Sequence, residues 1–144
     1  MIEWDSKYET NISEIDSQHK KLFRLIHQIE TVYEENKNHL SEKSKLLIDT
    51  ISELEDYTLS HFLIEERVME LNQYPELETH KKQHDQFTDK ILELKEKLNQ
   101  SNLLSNNKDL EVFFANLIQF LRKWLTQHIL KEDMSYKPFI KFNL

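Results

Sequence analysis

The sequence predicts an all-α chain, an antiparallel up-down-up-down four-helix bundle with an N-terminal extended arm. Three observations lead there. The 144 residues include no glycine and only two prolines, whereas β-hairpins and phosphate loops need glycine at their tight turns. Four stretches carry their apolar residues at alternating spacings of four and three, which marks one buried face of a helix. Short polar or proline-containing segments separate them, and short connections make successive helices antiparallel neighbours. The length fits one domain over 1–144, with room for a sizeable core.

Residues 1–15 show no sustained period and read as an ordered arm, with Trp4, Tyr8 and Ile12 packing on the body. A first helix spans roughly 16–36, N-capped by Asp16 or Ser17. Its seam is Ile15, His19, Leu22, Ile26, Ile29 and Tyr33. The polar run from Glu34 to Asn38 ends it, asparagine being the residue here best suited to a left-handed C-cap. A second helix, 41–71, opens at Ser41 with Glu42 in its favourable first turn. Its seam reads Leu47, Ile51, Leu54, Thr58, His61, Glu65, Val68. Pro75 forces a break, because the residue before proline avoids helical angles. A third helix, 76–99, carries Leu77, His80, His84, Phe87, Ile91, Leu94 and Leu98. Residues 99–107 form a polar loop. A fourth helix, 108–132, has the seam Leu110, Phe114, Leu117, Leu121, Trp124, His128, and Pro138 cannot continue it.

Composition excludes several functions. With no cysteine, disulfides, thiolate metal sites and cysteine catalysis are ruled out. A net charge of −7 argues against a nucleic-acid surface. No apolar run approaches the ~20 residues that span a membrane, and the N-terminus has no signal-peptide pattern. The expectation is a cytoplasmic protein.

The chemistry lies in polar residues at apolar positions. His19, His61, Glu65, His80, His84 and His128 all occupy seam positions where the rhythm calls for an apolar side chain. His61 and Glu65 form one i, i+4 pair, His80 and His84 another, so each pair shares a helix face. A lone seam histidine reads as a hydrogen-bonded core residue. A whole set needs a common partner, because an unsatisfied buried polar group costs several kcal/mol. In an antiparallel bundle the start of helix one, the end of helix two, the start of helix three and the end of helix four lie together. Neighbouring axes ~8–10 Å apart let the side chains converge. Imidazole and carboxylate suit iron, zinc and manganese. Asp133, five residues after His128, is about 500° further round a regular helix, off the face of His128. It joins the site only where the helix ends or distorts. His27 and His39 lie off the seams and read as surface residues, and Lys81-Lys82 as solvated.

The pattern of His19 within Ile-Asp-Ser-Gln-His-Lys-Lys-Leu-Phe, His61-x3-Glu65, His80-x3-His84 and His128-x4-Asp133 resembles the hemerythrin family. Trp4-Asp5 and Trp124-Leu-Thr-Gln-His-Ile fit as well. The chain looks most like the single-domain bacteriohemerythrins, and all seven ligand positions of the pattern are filled. Two positions depart from it: Asn11, where glycine is common but asparagine also tolerates positive φ, and His27, where bacterial members often have asparagine. The resemblance implies two Fe ions per chain with an oxo or hydroxo bridge. One iron takes His80, His84 and His128, the other His19 and His61, and Glu65 and Asp133 bridge both. That fills an octahedron at one iron and leaves a position for O₂ at the other. The function implied is reversible dioxygen binding for storage, delivery or scavenging, by a protein that is not an enzyme, a monomer with an oligomer as the alternative. The alternative is a sensor of oxygen or nitric oxide, or a di-iron redox enzyme, acting with a separate partner; 144 residues leave no room for an output domain. Against an enzyme, the seam offers no further ionisable group beside the ligands. Ile15, Leu22 and Leu125 are expected to wall the O₂ pocket, with Trp124 beside them. Seven ligands exceed the needs of one tetrahedral zinc.

Overall fold

The computed structural model describes residues 2–100 and 105–142. Among these there are no strands. Four long helices form the molecule: α1 Ser13–Glu35, α2 Ser44–Leu71, α3 Leu77–Leu98 and α4 Asn107–Gln127. Their antiparallel order shows in contacts near one end. His19, early in α1, meets His61, late in α2, at 4.8 Å between centroids. Glu65, late in α2, meets His80, early in α3, at 3.0 Å, and the His80 ring meets that of His128, just past α4, at 4.7 Å. At the far end the Asn107 side chain donates to the Lys37 carbonyl and accepts from the Ser41 N–H. That fixes the start of α4 to the α1–α2 connection. No helix among the described residues is long and apolar enough to cross a membrane.

The seams are the buried faces, with only Leu77 and Trp124 partly exposed. Their apolar residues divide into two clusters. The larger, from Leu22 and Phe62 through to Leu98 and Leu110, fills the body of the bundle. The smaller, Ile12, Ile15, Met69, Tyr74 and Tyr136, closes one end. The polar seam residues lie between them.

Several local expectations are corrected. The N-terminal segment is not simply extended. Residues Ser6–Tyr8 form a 3₁₀ turn capped by the Asp5 carboxylate, and Trp4, Tyr8 and Phe23 pack together at 5.0–5.6 Å. Helix α1 starts at Ser13, so Asp16 lies within its first turn instead of capping it. Its carboxylate folds back to accept from the Thr10 N–H and hydroxyl and the Asn11 N–H, at 2.8, 2.7 and 3.2 Å. Asn11 takes φ 65°, the left-handed conformation asparagine tolerates. Asn36 does not: at φ −128° it caps α1 without it, and its amide donates to the Val32 carbonyl instead. Ser41 does not open α2 directly, because a 3₁₀ turn, Leu40–Lys43, comes first. The loop expected over 99–107 falls in part on residues 101–104, outside the described residues.

Helix α2 ends in a Schellman motif without glycine. Tyr74 N–H bonds the Met69 carbonyl at 3.0 Å and Gln73 N–H the Glu70 carbonyl at 3.1 Å. The apolar partners of the motif, Met69 and Tyr74, pack in the smaller cluster. Gln73 occupies the left-handed position, φ 55°, at a cost of about 1 kcal/mol that glycine avoids. Glycine gives back part of this through a freer unfolded chain. Gln73→Gly is therefore expected to stabilise by about 0.5 kcal/mol, a rise of about 1–2 °C in thermal midpoint. A lower midpoint would mean that the Gln73 side chain makes a compensating contact.

Candidate metal centre

Every helix contributes to one buried cluster. His19 comes from the second turn of α1, His61 and Glu65 from the last part of α2, and His80 and His84 from the first two turns of α3. His128 and Asp133 come from the segment that continues α4, none of the seven side chains being more than 6% exposed. That segment, His128–Asp133, is a π-helix, followed by a last α-helical turn, Met134–Tyr136. A π-helix bonds i to i+5, so residues five apart stand one above the other. That re-aims Asp133 onto the face of His128, whose Nε2 lies 3.0 Å from Asp133 Oδ1. Helical structure thus runs past the expected end at 132. Pro138 sits in the closing 3₁₀ turn, Lys137–Phe139.

The two carboxylates are shared. Glu65 Oε1 lies 3.0 Å from the Nε2 atoms of both His80 and His84. Its Oε2 lies 3.4 Å from His19 Nε2 and 3.5 Å from His61 Nε2. Asp133 Oδ1 faces His80 and His128, and its Oδ2 faces His19, all at 3.0 Å. Each carboxylate therefore gives one oxygen to a three-histidine side and the other to a two-histidine side. Donor atoms of Glu65, His80, His84, His128 and Asp133 all lie within 4.8 Å of one another, as do those of His19, His61 and Glu65.

The donor set fits cations better than it fits itself. Both Asp133 oxygens and both His19 nitrogens are buried without a hydrogen-bond partner. The close contacts of Asp133 thus lack hydrogen-bond direction and converge on points between the groups. Ligands at right angles on one metal, with bonds of ~2.1 Å, stand ~3.0 Å apart, the spacing seen here. His84 Nδ1 lies 2.7 Å from Glu66 Oε2. A carboxylate only accepts, so Nδ1 carries the proton and Nε2 turns a lone pair inward. Gln18 Oε1, 2.6 Å from His61 Nδ1, does the same for that ring.

Charge is balanced within the cluster. Burial pushes the Glu65 carboxyl up, but the imidazoles around it outweigh burial and hold it well below the usual carboxylate range. Asp133 is held down likewise, against burial and the Glu65 charge. Burial lowers His19 and His80, yet Asp133 and Glu65 lift them to about 9 and about 10. His61 is kept below its ordinary value by burial.

A family model, the hemerythrin HHE cation binding domain, matches residues 10–140. The chain belongs to the hemerythrin family. It is 31% identical over 137 residues to a bacteriohemerythrin of Clostridium acetobutylicum, covering 94% of this chain and 98% of that protein. It is 28% identical over 141 residues to a Pseudomonas aeruginosa bacteriohemerythrin, covering 98% and 82%. To a hemerythrin-like protein of Naegleria gruberi it is 31% identical over 134 residues, covering 93% and 89%.

For a hemerythrin-family domain, the seam rhythm had located every member of the cluster except Asp133, which came from the resemblance. It missed the supporting groups. Gln18 and Glu66 each sit next in sequence to a cluster residue, and that adjacency was the available signal. Tyr136 is fully buried and donates its hydroxyl to Glu65 Oε2 at 3.0 Å, so an ionisable group does stand beside the site. The expected pocket wall also divides. Leu22, Trp124 and Leu125 line a small cavity together with Phe62, Phe87 and Thr58. Ile15 lies in the smaller cluster with Tyr136. Phe62 stacks on His84 at 3.8 Å and Trp124 on His128 at 4.4 Å, so that cavity abuts the cluster. His27 and His39 are exposed.

Proposed function

We propose that this hemerythrin-family domain binds dioxygen reversibly at a non-haem di-iron centre, for storage, delivery or scavenging. The observation that carries this reading is the unequal sharing of the two carboxylates. Their oxygens join His80, His84 and His128 on one side and His19 and His61 on the other. One subsite has three nitrogens and two oxygens, the other two nitrogens and two oxygens. A second cation therefore keeps one more position for an outside ligand. When bound there, iron supplies the electrons that dioxygen takes up and returns.

The chain's own part is to hold and to exclude. Five imidazoles and only two carboxylates provide less negative charge than a carboxylate-rich ferritin-like site, which favours return of the electrons over full oxidation. The adjoining cavity, lined by Leu22, Ile26, Leu54, Thr58, Phe62, Phe87, Trp124 and Leu125, measures about 10 Å³. It is too small for an organic substrate. Its apolar wall keeps water from the site and disfavours separation of charge. On this reading the chain is one domain over 1–144, a cytoplasmic binder and not an enzyme.

The test is optical. Iron-loaded protein reduced with dithionite is expected to be nearly colourless, to colour on admission of O₂ and to bleach when O₂ is withdrawn, over several cycles. Steady O₂ consumption with a reductant present would indicate an enzyme. Irreversible oxidation without any reversible species in stopped flow would overturn the carrier reading.

A further inference from the structure

We propose that Tyr136 is a positioning residue for the bridging carboxylate, and that its hydroxyl keeps Glu65 Oε2 turned toward the two-histidine subsite. The inference rests on the di-metal reading above and adds to it a residue on which one subsite depends more than the other.

The geometry is one-sided. Tyr136 reaches only Oε2 of Glu65, at 3.0 Å. That oxygen is the one between His19 and His61, at 3.4 and 3.5 Å. Oε1 faces His80 and His84 at 3.0 Å, with no further donor among the described residues. A carboxylate can swing about its last torsion, and a buried O–H donor at one oxygen removes that freedom.

The donor itself is fixed in place. The ring is 0% exposed, packed with Ile12, Ile15, Met69 and Tyr74, and it lies 5.7 Å from the His80 ring. The π-helical turn that re-aims Asp133 ends only three residues earlier. One backbone distortion thus delivers both a carboxylate and the group that holds its counterpart.

The subsites depend on Oε2 unequally. The two-histidine side has four protein donors, and Oε2 is one of them. The three-histidine side does not use Oε2 at all. If Glu65 turns, both oxygens move: the two-histidine side is left with three protein donors, whereas the three-histidine side still has four, its nitrogens and Asp133 Oδ1. Outer-shell groups of this kind are worth 10–100-fold in metal affinity.

The experiment is calorimetric titration of metal-free protein with cobalt(II), a cation that does not react with the site during the measurement. Wild-type chain and Tyr74→Phe are expected to bind two cobalt ions each. Tyr136→Phe, which keeps the ring, is expected to weaken the second site by at least tenfold more than the first. Circular dichroism of the metal-free variant checks its fold. If the phenylalanine chain is unfolded, Tyr136→Met, of similar bulk and without a donor, must show the same split. Two sites of wild-type affinity in a folded variant, or equal weakening of both, overturns the proposal and leaves the di-metal reading intact. Fewer than two sites in the wild-type chain would instead overturn the di-metal reading, and the proposal with it.

Discussion

On the proposed di-iron reading, Glu65→Ala is expected to lower the iron content of natively purified protein from two per chain to one or none. The side chain supplies an oxygen to each side of the cluster, in contact with His19, His61, His80 and His84. Its loss leaves three nitrogens and one oxygen on one side, and two nitrogens and one oxygen on the other. The poorer side falls below the four donors of even a closed tetrahedral site. The substitution also leaves the buried Tyr136 hydroxyl without its acceptor, at about 1–3 kcal/mol. His27→Ala, at an exposed position of α1, is the matched control and should retain both irons. Metal analysis decides: an alanine at 65 with full iron, or loss of iron from the His27 variant, would refute the assignment of ligands.

Removing the metal from wild-type protein is expected to lower the thermal midpoint by about 8–16 °C. A ligand at a thousand times its Kd stabilises the folded state by about 4 kcal/mol, and a chain of this size moves about 2–4 °C for each kcal/mol. Without metal, the cluster must satisfy itself with protons, and this gives the loss a pH signature. His19 and His80 are raised to about 9 and about 10 in the fold by Asp133 and Glu65. A raised histidine stabilises fully below its ordinary value near 6.5, and that contribution disappears as the pH climbs through the folded value. The midpoint of the metal-free protein should therefore decline from about pH 7 to pH 10. Glu65 and Asp133 are held below their ordinary values, so their contribution is fully present above the usual carboxylate range and starts to erode only as the pH falls below about 4, toward their lower folded values. Metal displaces the imidazole protons, so the loaded protein should lack the alkaline decline, and loading near pH 7 should release protons. Scans of both forms across pH 4–10 test this. Equal midpoints, or a flat alkaline limb without metal, would show that the histidines do not draw on the carboxylates.

Most of the fold is written in the spacing of residues. The 4-3 rhythm alone marks each buried face, because 3.6 residues per turn brings positions three and four apart onto one side. It also places His19, His61, Glu65, His80, His84 and His128 inward, and antiparallel order then puts them at one end. Local hydrogen bonding is less legible. Asp16 was a plausible cap, yet with the helix starting at Ser13 it serves the turn before it. The asparagine run after α1 does not supply the expected left-handed cap at Asn36, whereas Gln73 after α2 does take that conformation. Met69 and Tyr74 have an apolar cluster to join beyond α2, and their contact decides which chain end turns left-handed.

What the sequence determined, then, is which faces turn inward and that imidazoles and a carboxylate meet there. Only the tertiary structure decided how they share. Nothing between His128 and Asp133 is a glycine or proline that would announce a distortion. The π-helical turn is chosen because it buries Ile129 and Tyr136 completely while bringing Asp133 against His19, His80 and His128. Such a turn has no local signal: the contacts that favour it come from His19 in α1 and His80 in α3, more than forty residues away in sequence. The same long-range packing sets Tyr136 against one oxygen of Glu65 and not the other, a distinction that residue spacing does not encode.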